Sequence, residues 1–123
     1  MADSLSPLMR VCRDGDLSQA AQLIDEGANL EQRNSDGNTA VWLACYSDSL
    51  DIIELLADKG ANLNNQNNDG VTVLMYAASA GKGDVVRCLL ALGAEAKLAT
   101  RDGFTALDLA ANRQVFKLLR HAA

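Results

Sequence analysis

The chain of 123 residues is poor in the groups that carry catalysis and cross-linking. It has one histidine, His121, near its end, with no orienting partner in view, and acid–base catalysis needs such a partner. Three cysteines, an odd number, do not read as a disulfide framework. No Cys-x-x-Cys pair accompanies Cys88, so a zinc site is disfavoured. The single proline, Pro7, argues against long irregular linkers. Aromatic residues are only 4% of the chain while alanine is abundant, which favours close-packed small helices over a core of large rings. No run approaches the roughly 18 apolar residues of a membrane helix. Met1-Ala2-Asp3-Ser4 has neither the basic nor the apolar part of a signal peptide. A reducing, cytoplasmic setting is therefore expected. Gly81-Lys82-Gly83 reads as a turn, not a phosphate cradle, and Asp14-Gly15-Asp16 lacks the bidentate glutamate of a calcium loop. Neither a cofactor nor a metal is expected.

The net charge of −5 is unevenly placed. Residues 1–70 hold twelve acids and four bases, a balance of −8, and residues 71–123 hold four acids and seven bases, a balance of +3. The acidic part argues against general nucleic-acid binding, and the basic part is too sparse to reverse that. A two-signed surface can instead orient a partner.

What is abundant is repetition. Asn34-Ser35-Asp36-Gly37-Asn38-Thr39, Asn67-Asn68-Asp69-Gly70-Val71-Thr72 and Thr100-Arg101-Asp102-Gly103-Phe104-Thr105 follow one another at 33-residue spacing. Gly27, Gly60 and Gly93 keep the same period, as do Leu23, Leu56 and Leu89. Such a period marks a repeat architecture. Each repeat reads as two short helices and a polar loop. Ser6-Pro7 starts the first helix, with serine as N-cap and proline at the first helical position. Thr39 and Thr72 cap later ones. Gly27, Gly60 and Gly93 close second helices in the left-handed conformation. The asparagine-rich loop 62–70 suits turns, because asparagine bonds its own backbone. The expected repeats are about 4–37, 38–70, 71–103 and 104–121, forming one all-α domain over 1–123 with little or no strand. The last repeat is shortened: Thr72 to Leu89 is 17 residues, whereas Thr105 to the matching leucine, read as Leu118, is 13, so four residues of the inter-helix turn are expected to be missing. Both ends read as capped, which favours a complete protein. Cys12 and Cys45 occupy equivalent places in adjacent repeats. Stacked helices sit roughly 8–10 Å apart, too far for a disulfide, so both are expected to be free and buried.

These residues resemble the ankyrin-repeat family. Gly70, Thr72, Leu74, Ala77, Ala78, Gly81, Val85, Val86, Leu89, Leu90, Gly93 and Ala94 match its pattern, and Gly60-Ala61-Asn62 matches its closing segment. The resemblance spans about residues 4–121 and implies a solenoid of stacked helix-turn-helix units with projecting β-turn loops. There are departures. The family's proline is kept only at Pro7, and its histidine is replaced by Met9, Trp42, Met75 and Asp108. Since that histidine normally supports the turn by hydrogen bonding, looser turns are expected.

By position, the resemblance implies a non-enzymatic module that binds a protein partner through a concave face and the loop tips. It brings forward Arg33, Asp36, Asp69, Val71, Arg101, Asp102 and Phe104 at the tips, and Trp42, Tyr46 and Met75 on the first helices. Aromatic and methionine anchors beside arginine are usual in interface hot spots. Trp42 and Met75 carry an open alternative, that they fill gaps between repeats. A second functional reading is a small inhibitor or immunity-type regulator that blocks a partner enzyme. A small-molecule or enzymatic role is disfavoured. Neither nucleic acid nor membrane is an expected partner, and a monomer is the default.

Overall fold

Every expected second-helix terminator works by the same local bonding. In the computed structural model, which describes residues 5–122, Gly27, Gly60 and Gly93 have φ of 94°, 93° and 95°. The following amide then turns back onto the helix: Ala28 N donates to Leu23 O at 3.0 Å, Ala61 N to Leu56 O at 2.9 Å, and Ala94 N to Leu89 O at 3.0 Å. This bonding satisfies carbonyls that a helix end leaves open. Ser4, the expected start of the first repeat, lies outside the described residues.

Among the described residues seven helices result: α1 Pro7–Arg13, α2 Leu17–Asp25, α3 Ala40–Tyr46, α4 Leu50–Asp58, α5 Val73–Ser79, α6 Gly83–Ala91 and α7 Arg113–Ala122. Among the described residues there is no strand, only an isolated bridge between Ala99 and Thr105. Ser6 caps α1, its hydroxyl accepting from Met9 N at 3.1 Å. Asp16 caps α2, accepting from Gln19 N at 3.1 Å.

The chain forms two compact halves, Met1–Asn62 and Leu63–Ala123. In the first, α1 packs on α2 and α3, and α4 packs on α3 and α2. Its core takes Leu8, Met9, Cys12, Val41, Leu43, Ile52, Ile53 and Leu56, each 3% exposed or less. In the second, α6 packs between α5 and α7, and Leu74, Met75, Val85, Val86, Leu89, Val115 and Leu119 are each 2% exposed or less. Burying one such aliphatic side chain contributes about 1.5–3 kcal/mol, which is what holds these short helices in place.

The last repeat departs from expectation. Residues 106–109 make a turn rather than a helix, with Leu109 N bonded to Thr105 O at 3.2 Å. Asn112 then starts α7, its Oδ1 accepting from Val115 N at 2.9 Å. The buried leucine of α7 is Leu119, while Leu118 is half-buried. Three residues are therefore missing relative to the third repeat, not four, and they come out of the first helix. The physical reason is reach. After one turn the chain is already tied down, Ala111 N bonding Ala78 O at 3.0 Å.

Candidate functional site

The loop tips are built by one side chain each. Asn34 Oδ1 accepts from Asp36 N and Asn38 N, both at 3.0 Å. Asn67 Oδ1 accepts from Asp69 N at 2.9 Å and Val71 N at 3.0 Å. In the last tip Thr100 Oγ1 takes over one such bond, from Phe104 N at 3.1 Å. The side chain mimics a backbone carbonyl and closes the turn. The crest residues Asp36, Asp69, Arg101 and Asp102 are left exposed. Asparagine at the start of the turn was visible in the repeat pattern, and its bonding of its own backbone is the signal that identifies it.

In the first half, Arg33 is exposed and reaches back along its own tip, Nη1 donating to Gly37 O at 3.1 Å. Tyr46, at the end of α3, is 42% exposed. Its ring meets that of Trp42 edge-on, with centroids 6.2 Å apart, and Asn38 Nδ2 donates to its hydroxyl at 3.5 Å. Trp42 itself is 4% exposed. That corrects the expectation of a surface anchor: the tryptophan is core, and it supports Tyr46 from beneath.

In the second half two tips are joined. Gln66 Nε2 donates to Gly70 O at 2.9 Å and to Ala99 O at 2.8 Å. Arg101 N approaches Asp69 O at 3.4 Å. Asp69, Arg101 and Asp102 therefore lie on neighbouring strips of backbone, with Val71 half-buried and Phe104 50% exposed. Met75 is the second correction. It is 1% exposed, and its Sδ accepts from Thr72 N at 3.4 Å while Met75 N donates to Thr72 Oγ1 at 3.2 Å. The sulfur completes a capping box. Asp108 does the same with a carboxylate, accepting from Thr105 N at 2.9 Å. The turns at Met75 and Asp108 are thus not loosened by loss of the family histidine. At Trp42 the local bonding differs: Thr39 makes no side-chain cap bond.

Two further polar side chains have structural roles. The Ser47 hydroxyl donates to Cys12 O at 2.8 Å, and Asn112 Nδ2 donates to Gly81 O at 3.3 Å. The sequence reading missed the ammonium of Lys82, which lies 5.6 Å over the ring of Tyr76. No residue spacing announces that pair, because a turn separates them. Cys12 and Cys45 are buried free thiols and Cys88 is half-buried. Burial pushes the Cys12 thiol up to about 12, so it is inert at neutral pH. Among the described residues no group of three or more His, Cys, Asp or Glu side chains could hold a metal ion, and no helix is long and apolar enough to cross a membrane.

Comparison with known families agrees with this geometry. A model described as ankyrin repeats (3 copies) matches residues 2–67, and one described as ankyrin repeats (many copies) matches residues 55–110. No curated protein matches the chain.

Proposed function

This chain belongs to the ankyrin-repeat family, whose members generally serve as protein–protein interaction modules, and we propose that it is a non-enzymatic member that docks a protein partner on its loop tips and the exposed ends of its first helices. The observation that carries this is the division of labour within each tip. Asn34 and Asn67 satisfy the backbone internally, so the crests are rigid before any partner arrives, and rigidity lowers the entropic cost of binding. Charged side chains of both signs, Asp69, Arg101 and Asp102, then sit beside an exposed aromatic, Phe104. Tyr46, stiffened by Trp42 beneath it, is the equivalent anchor in the first half. Charge at the crests selects and orients, and the aromatic rings supply contact area. The four repeats at about 4–37, 38–70, 71–103 and 104–121 are read as parts of one domain that supplies these tips together.

The test is affinity capture from native lysate on the immobilised chain, repeated with Tyr46→Ala and Phe104→Ala. A protein held by the native chain should bind each variant at least about fivefold more weakly, since hot-spot truncation costs more than ~1 kcal/mol. Equal affinity for all three chains would refute the assignment of both anchors.

A further inference from the structure

Two positions of the repeat are left open, one on α2 and one on α7. Ala20, Ile53 and Val86 are equivalent and each is 0% exposed, but Phe116, the matching residue of α7, is 43% exposed. Leu56, Leu89 and Leu119 are equivalent and at most 1% exposed, but Leu23 on α2 is only half-buried. Where α6 packs against α7, the first of these positions (Val86) and the second (Leu119) are both filled. Terminal repeats of a stack ordinarily carry a polar outer face. Here an aromatic ring stands out on one helix, and a cleft of mixed polarity lies beside the other. The cleft has a volume of about 280 Å³ and is lined by Pro7, Leu8, Leu23 and Ala28, with Glu26 and Gln32 among its polar members.

The charges match as well. From Asp14 to Gln32 there are five acids (Asp14, Asp16, Asp25, Glu26, Glu31) and no base. From Leu109 to Ala122 there are three bases (Arg113, Lys117, Arg120) and no acid. Arg10 and Arg13, on α1, and Arg33, just past Gln32, do not line the cleft, and of the five acids Glu26 does.

We infer that copies of this chain associate head to tail, with Phe116 on α7 of one copy seated in the cleft that Glu26 lines beside α2 of the next. The contact repeats across two chains the helix packing that α6 and α7 make within one. It is heterologous: each copy offers one face and receives on the other, so association closes into a ring or runs on as a chain. The monomer expected from the sequence is then the dilute state. Opposite charge draws the faces together, and salt weakens that attraction.

The test is sedimentation velocity of the full chain over a concentration series, in dilute buffer and at high salt. The weight-average mass should climb above that of the monomer as concentration rises and should fall back with salt. Phe116→Glu spoils one face, and Glu26→Lys with Gln32→Lys spoils the other. Each variant alone should lose self-association, yet an equimolar mixture should form a species of two chains and stop there, because each variant keeps one intact face. Circular dichroism melts check folding, and if Phe116→Glu does not fold, Phe116→Ala replaces it. A native chain that stays monomeric throughout overturns the inference. So does a mixture that stays monomeric, or variants that associate as well as the native chain.

Discussion

The third and fourth repeats begin alike and end differently. Both open on an Asp-Gly turn, and both place threonine where a helix should start. Thr72 and Thr105 each take part in a reciprocal cap, with Met75 and Asp108. Yet Thr72 launches the seven-residue α5, whereas Thr105 launches only a turn. The cap is a local signal and forms in both places. Continuation into a helix needs residues to continue with and a surface to pack on. Three missing residues remove the first of these, and the exposed face of α7 follows from the second.

The sharpest test of the contrast is a pair of large-to-small substitutions. Leu89→Ala, at a site with 0% exposure, should destabilise the fold by about 2–5 kcal/mol. Phe116→Ala, at 43% exposure, should cost about 1 kcal/mol or less despite the larger side chain. Urea unfolding of dilute samples measures both, and equal losses would erase the distinction between a closed and an open repeat.

The turns give the next contrast. Gly70 has φ +78°, and a methyl added there would lie 2.9 Å from the Arg101 amide nitrogen. Gly103 has φ +89° with nothing within 4 Å of that methyl. Gly103→Ala should cost about 1–2 kcal/mol from the left-handed backbone alone. Gly70→Ala adds a clash with backbone and should exceed it. A smaller loss at Gly70 would mean that the two tips are not held together in solution.

The caps differ by less. Thr72→Ala should cost about 1 kcal/mol, because a buried cap opens a helix, and Thr105→Ala should stay nearer ~0.5 kcal/mol, because it opens only a turn.

The smallest perturbation is chemical labelling. Cys88, half-buried on α6, should react with a thiol reagent in the native state, whereas Cys12 and Cys45 should react only on unfolding. The raised pKa of Cys12 also has a sign for stability. Its contribution is complete below the ordinary thiol value of 9.0 and is lost as pH climbs toward about 12. An alkaline melt that Cys12→Ala flattens above pH 9 would bear this out. A curve unchanged by the substitution would count against it.

How far the molecule could be read in advance follows the range of the forces. Ser6-Pro7, the terminating glycines and the turn asparagines act within a few residues, and each sits where its chemistry anticipates. The period of 33 then implies the repeat. Candidate crest residues such as Asp36, Asp69 and Arg101 were legible for the same reason: turn geometry leaves few places for them but outside. Trp42 and Met75 were not. Whether an apolar side chain at the start of a helix faces a partner or a neighbouring helix depends on what is stacked above it, and neither residue type nor spacing encodes that.

The sequence by itself determined the turns, the helix ends and the register that brings equivalent residues to equivalent places, because these are set by backbone preference and by bonds between residues close along the chain. Tertiary structure alone decided that Trp42 and Met75 are core, that residues 106–109 do not become a helix, and that Phe116 stands open while its equivalents in the other repeats are sealed. Burial is a property of what lies alongside, and the same residue type at the same repeat position is core or surface according to whether another layer covers it.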